Sequence, residues 1–267
     1  MAGAAAFEVR LMLMSFEVGS RKYVADMARG IPIAIPMRFE GAQPNFFGVP
    51  TATAEAVKSG DWVGDVRKGG SCNVYRYHLV PHCNGTHTEC IGHMVEDPIS
   101  VADCLPTAPL PATLVSVTPQ GLIIDATRLQ AALLRQPLMG FNKALVLRTL
   151  PNSDDKLTRQ YVGPLPCAYL SADAAELLVR MGVEHLLLDV PSLDPAEDAG
   201  RMSAHRVFWG MPVDGHRLAD VRRPQATITE MIYVPDSVKD GYYLLDLQIP
   251  AFMTDAAPSR PILYPVG

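Results

Sequence analysis

Apolar positions after Ser171 recur with helical spacing: Ala174, Leu177, Leu178 and Met181 fall at i, i+3, i+4 and i+7, on one face of a helix. Ser171 stands where an N-cap is needed, Asp173 puts a negative charge in the first turn, and Gly182 ends the helix. Val183 to Asp189 follows as a nearly unbroken apolar run of strand length, the pattern of a strand covered on both faces. Ala144 to Arg148 has the same character. Asn73 to Val80, rich in aromatic and β-branched residues, predicts a further strand, as do Ala226 to Val234 and Tyr242 to Ile249. Asp125 to Gln136 reads as a short helix.

Phe7, Val9, Leu11 and Leu13 alternate along one face, and Gly19-Ser20-Arg21-Lys22 reads as a turn, so residues 1–23 predict an N-terminal hairpin. Ile31 to Pro36 is extended, because each proline biases its predecessor away from the helical region. Residues 41–53 are irregular around Phe46 and Phe47, and Pro106 to Pro111 reads as a proline-rich connection. A helix running directly into a buried strand implies a mixed α/β fold. With no repeat, low-complexity run or evident linker, residues 1–267 read as a single domain.

Composition narrows the function classes. Hydrophobic residues make up 48% and charged residues 19%, the balance of a globular protein with a sizeable core. A formal net charge of −5, with no lysine–arginine cluster, argues against a nucleic-acid partner. No uninterrupted apolar run is long enough to span a bilayer, and the N-terminus lacks a signal-peptide pattern. Five cysteines without paired spacing read as reduced thiols, which predicts a cytoplasmic protein with no membrane association.

Candidate chemistry is concentrated in His82-Cys83-Asn84-Gly85-Thr86-His87-Thr88-Glu89-Cys90-Ile91-Gly92-His93, which holds three of the seven histidines. Imidazole and carboxylate are ligands for zinc, manganese or iron. Gly85-Thr86 allows the sharp turn that would bring flanking rings to one point. Glu230 adds to this, since a carboxylate among Ile228, Met231 and Ile232 is costly unless paired or metal-bound. His78 reads as an ordinary strand residue, His185 and His216 have no such support, Cys90 and Cys104 read as small core residues, and Asp189 as a structural capping acid. No phosphate loop, dinucleotide fingerprint or serine nucleophile elbow is present.

The cluster resembles the H-x-G-T-H-x-D-x-P-x-H signature of the metal-dependent cyclase family, which includes bacterial kynurenine formamidase and isatin hydrolase. Asp26-Met-Ala-Arg-Gly-Ile-Pro-Ile resembles the family's D-L-S-x-P-I opening, and Leu147-Arg148-Thr149 its R-T-G strand end. Leu170-Ser171 through Ala175, then Leu188 to Asp194, resembles the L-S-x-x-A-A and D-x-x-S-x-D block. Ala204-His205 and Ile228-Thr229-Glu230 resemble its later A-H and I-x-E elements.

The resemblance implies a mixed sheet or barrel-like core with flanking helices. It also implies one or two divalent ions, zinc or manganese, held by His82, His87, Glu89, His205 and Glu230, with His93 as the acid–base residue. Phe46 and Phe47 would form a substrate wall, with a plain core role as the alternative. The implied activity is hydrolysis of a small-molecule amide or lactam carbon–nitrogen bond, similar to arylformamidase. The alternatives are a cyclase, dehydratase or ester hydrolase, or a metal-binding relative without turnover. A homodimer or higher homo-oligomer is implied as well.

Three departures from the signature bear on the site. Cys83 and Asn84 both stand between His82 and Gly85, where the family has one residue. In a regular strand the shift would turn Cys83 to the metal, whereas a bulge absorbing the extra residue would return His82. Glu89 replaces aspartate and Ile91 replaces proline. The first changes reach and leaves the metal count open between one and two; the second removes only a local constraint.

Overall fold

The computed structural model describes residues 12–161 and 167–267. A nine-stranded mixed sheet curls into a half-barrel, in the order Ala256–Pro258, His87–Glu89, Thr227–Glu230, His185–Leu188, Ala144–Thr149, Leu110–Val117, Gly241–Gln248, Arg260–Pro265, Ile31–Pro32. The four strands from Thr227–Glu230 to Leu110–Val117 run parallel, and the flanking pairs are antiparallel.

Both faces of the parallel centre are covered, which is why its strands read as continuous apolar runs. Leu145 and Leu147 of one strand, with Leu186 and Leu188 of the next, pack under Leu129, Leu178, Phe208 and Trp209 of the helices Ala126–Arg135, Ala172–Arg180 and Ser203–Trp209. Ala144, Val146 and Leu187 point the other way, against Ile33, Ile232, Leu245 and Leu263. Among the described residues no helix is long and apolar enough to cross a membrane.

Several expectations shift. The N-terminal hairpin pairs Leu13–Val18 with Arg21–Asp26, so it lies later than 1–23; Arg21 and Lys22 belong to its second strand, and only Gly19 (φ 60°) and Ser20 turn. Phe7, Val9 and Leu11 lie outside the described residues. Ser171 does precede the helix, but its hydroxyl donates to the Ile124 carbonyl instead of capping. The Ala226 to Val234 run is cut to Thr227–Glu230, because Met231 takes a positive φ of 52° and its N–H turns to the Val190 carbonyl. Leu110–Val117, a central strand, begins inside the stretch read as a connection. Pro111 is tolerated near its start, before the ladder needs every N–H.

Lys156 and Asp189 form a buried ion pair at 2.8 Å beside the carboxyl ends of the central strands. Asp189 also accepts from the Thr149 N–H and hydroxyl, a structural role as expected.

Candidate metal centre

The register of two antiparallel strands assembles the acidic heart of the site. His87 and Glu89 are two apart on one strand and share a face, and Glu230 stands directly opposite His87 on the next. On the other face Thr88 and Thr229 join through their hydroxyls at 2.8 Å. Glu89, Glu230, His87 and His205 are all buried. Two carboxylates in a dry interior are costly without compensation, and their ion-pair partners among the described residues are histidines alone.

Each of three histidines is held by one nitrogen from outside and turns the other inward. His205 lies on the helix Ser203–Trp209. Its Nδ1 is 2.6 Å from Asp194, and its Nε2 is 3.0 Å from Glu89 Oε1 and 3.7 Å from Glu230 Oε1. His82 has Nε2 at 2.8 Å from Asp255 and Nδ1 at 2.9 Å from Glu89 Oε2. His87 donates from Nδ1 to the Gly85 carbonyl at 3.1 Å. Its Nε2 is buried with no hydrogen-bond partner, 3.6 Å from Glu230 Oε2. A buried nitrogen left without a partner beside a carboxylate is what a cation ligand looks like.

Among the described residues, ligand-capable atoms fall into two groups that share Glu89: one from His82, Glu89 and His93, the other from Glu89, His205 and Glu230. His87 belongs to neither and reaches the site through Glu230.

The protonation states show the same demand for positive charge. Burial alone would lower His82, but its hydrogen bonds to Asp255 and Glu89 push it up to about 10. His205 is likewise opposed by burial and raised to about 10 by Asp194 and Glu89. His87 has no such anchor, and burial takes it down to about 4. Glu89 resists burial and is held well below the usual carboxylate range by His93, His205 and His82. Glu230 goes the other way, raised by burial and then by the charge on Glu89. The residues therefore fit a divalent ion: imidazole and carboxylate donors converge, and one carboxylate lacks the charge to stay ionised.

The extra residue in the signature is taken up by a turn, not by a bulge. The Val80 carbonyl accepts from both the Cys83 and Asn84 N–H, the Asn84 side chain closes back on the Val80 N–H, and Gly85 takes φ 81°. This rotates His82 onto Glu89. Cys83 also borders the site, with its thiol pushed up to about 11 by burial and then by Glu230 and Glu89.

A cavity of about 560 Å³ opens onto these groups. Phe46 and Phe47, with rings 5.7 Å apart, line it together with Ser192, Asp194 to Gly200 and Met202. Phe47 is 70% exposed. His93, on a 3-10 turn at Ile91–His93, reaches the cavity with Nε2 at 3.9 Å from Glu89.

All six polar residues singled out from the sequence are thus brought together. His78 is exposed and pairs with Glu55; His185 is buried on Thr227; His216 holds the Met94 carbonyl. Cys90 and Cys104 are core residues. Sequence reasoning missed the anchoring carboxylates. Asp194 lay inside a recognised block without a sign of its role, and Asp255, 173 residues from His82, gave no signal.

The chain is similar to known proteins in sequence and in fold. The chain is 29% identical over 206 residues to the kynurenine formamidase of Bacillus cereus, covering 74% of this chain and 83% of that one. In fold it is similar to isatin hydrolase A from Labrenzia aggregata, with TM-score 0.63 and 11% identity over 88% of this chain and 93% of that one. It is also similar to isatin hydrolase A from Ralstonia solanacearum, with TM-score 0.59 and 13% identity over 88% and 91%. The sequence profile of the Cyclase family matches residues 27–195, and the chain belongs to that family.

Proposed function

We propose that this chain is a metal-dependent hydrolase that cleaves the carbon–nitrogen bond of a small-molecule amide or lactam. The observation that carries the reading is the set of three histidines, each fixed by one nitrogen and turned with the other toward Glu89 or Glu230. The kynurenine formamidase relative supports the reaction class. His82, His87, Glu89, His205 and Glu230 would hold one or two divalent ions, zinc or manganese by their donor chemistry.

When bound, such an ion supplies Lewis acidity and lowers the pKa of a coordinated water to about 7. The protein's own groups do the rest. His93 is 28% exposed and borders the cavity, with Nδ1 toward Asp255 and Nε2 toward Glu89. Its Nε2 accepts a proton from the attacking water and returns it to the leaving nitrogen as the carbon–nitrogen bond breaks. Phe46 and Phe47 pack the substrate's apolar body. Among the described residues the lining includes no lysine or arginine, while Glu197 and Asp198 stand in it, which favours an uncharged substrate over an anionic one. A homodimer or higher homo-oligomer in the cytoplasm is part of the same reading.

Metal content per chain by elemental mass spectrometry tests it, on wild type, His82→Ala, Cys83→Ala and His87→Ala, followed by turnover of formamides and lactams. One or two ions in the wild type, reduced in His82→Ala and His87→Ala but not in Cys83→Ala, is the expected result. Protein that takes up neither zinc nor manganese would end the proposal.

A further inference from the structure

One oxygen of Asp255 serves two rings. Its Oδ2 lies 2.8 Å from His82 Nε2 and 3.7 Å from His93 Nδ1, and the two imidazoles face each other with centroids 4.1 Å apart. The carboxylate is held in place by backbone. The Asp255 carbonyl accepts the Cys90 N–H at 2.9 Å, and the next residue, Ala256, begins a strand paired in register with Glu89. On the other side Gly92 lets the turn carrying His93 come close. A Cβ there would stand 3.1 Å from the Asp255 Cβ and 2.4 Å from the Ile99 carbonyl.

We propose that Asp255 is a positioning residue that fixes the tautomer of His82, so that His82 ligates through Nδ1, and that also restrains the ring of His93. The inference rests on the metal-site reading above. An imidazole nitrogen that donates its hydrogen to a carboxylate cannot also bind a metal. With Nε2–H given to Asp255, only Nδ1 is left, and it is the nitrogen already beside Glu89. Asp194 holds His205 in the mirror arrangement, through Nδ1, leaving Nε2. The two anchored histidines thus approach Glu89 from opposite oxygens with opposite tautomers. Because one carboxylate oxygen faces both His82 and His93, loss of Asp255 frees a ligand and the proton carrier together.

The test reads the tautomer directly, by long-range nitrogen–proton correlation NMR of the full chain loaded with zinc. His82 is expected as the Nε2–H form with Nδ1 on the metal. Asp255→Ala should weaken one bound zinc by about 10–100-fold while leaving the zinc at Glu89, His205 and Glu230 in place. It should lower kcat far more than it raises KM. Asp255→Asn, whose amide oxygen still accepts the Nε2–H, should keep the zinc content of the wild type. Because the Asp255 side chain is partly exposed, the variants should fold, which circular dichroism would check. Zinc bound with His82 in the Nδ1–H form overturns the inference alone, as does equal zinc loss in Asn and Ala variants. Wild-type protein that binds no zinc overturns it together with the function on which it rests.

Discussion

The Nε2 of His205 lies 3.0 Å from Oε1 of Glu89, across 116 residues of chain. The far side of the same ring is tied to Asp194, whose two oxygens also accept the N–H groups of Ala204 and His205. Asp194 therefore starts the helix Ser203–Trp209 and aims its histidine in one arrangement, so helix position and ring orientation are set together.

Asp194→Ala should consequently show two losses. Removal of the helix cap costs about 1–2 kcal/mol in urea denaturation of the metal-free protein. Freedom of the His205 ring lowers metal affinity by about 10–100-fold in a zinc titration. Unchanged affinity beside lowered stability would reduce Asp194 to a cap.

Glu230→Gln should separate stability from function. Burial and the neighbouring Glu89 charge raise the Glu230 carboxyl well above its ordinary range, so its ionised form strains the metal-free protein. The amide keeps an oxygen for the Leu193 N–H. With chelator present, the variant should melt at a higher temperature than wild type, yet bind less metal and lose turnover. A lower melting temperature in chelator would contradict this.

Lys156→Met should be among the most damaging changes away from the site. The Lys156 ammonium is buried, with contacts to Asp189, Thr149 and Asn152, and its removal leaves Asp189 buried and unpaired. The expected cost is about 3–5 kcal/mol in chemical denaturation. Asp189→Asn added to it should recover part of that loss; full additivity of the two costs would mean they do not act as a pair.

Acidification should weaken the protein through His185. Burial takes its imidazole from the usual 6.5 down to about 4, so the unfolded chain binds a proton that the folded chain refuses. The stability it contributes is complete above 6.5 and is lost as pH falls from 6.5 toward 4, on the order of 3 kcal/mol in full. Metal-free wild type and His185→Gln, compared by urea denaturation at several pH values in this window, should differ in slope. Parallel curves would show that His185 titrates normally.

Phe47→Gly should affect substrate use without harming the fold. The side chain is exposed at the cavity wall, and its φ of 61° is one that glycine adopts freely. Stability should hold or rise slightly, while kcat/KM for an aromatic amide falls by about 10-fold and that for a small aliphatic formamide changes little. Equal losses on both substrates would remove Phe47 from the substrate wall.

Local pattern was enough for what is local. The helix after Ser171, the buried run through Leu188 and the histidine cluster from His82 to His93 all lie within short windows, where spacing alone fixes which side chains can meet. The resemblance carried the reading to His205 and strengthened it at Glu230, already suspect for its apolar neighbours; no window joins either to the cluster. Leu110–Val117 escaped because Pro106, Pro109 and Pro111 dominate the stretch where it opens, although Thr113 to Val117 has strand character and becomes fully buried on sheet formation or nearly so.

The choice between His82 and Cys83 shows the limit most clearly. Sequence fixed neither ring nor thiol, since one added residue can be absorbed as a register shift, a bulge or a turn at similar local cost. Tertiary structure selects the turn, because Val80 and Asn84 close it and Asp255, 173 residues from His82 and just ahead of the strand Ala256–Pro258, receives the imidazole. The chain by itself determined which groups are available for metal chemistry. Which nitrogen of each histidine faces the carboxylates depends on hydrogen bonds between distant segments, and only the folded sheet brings those together.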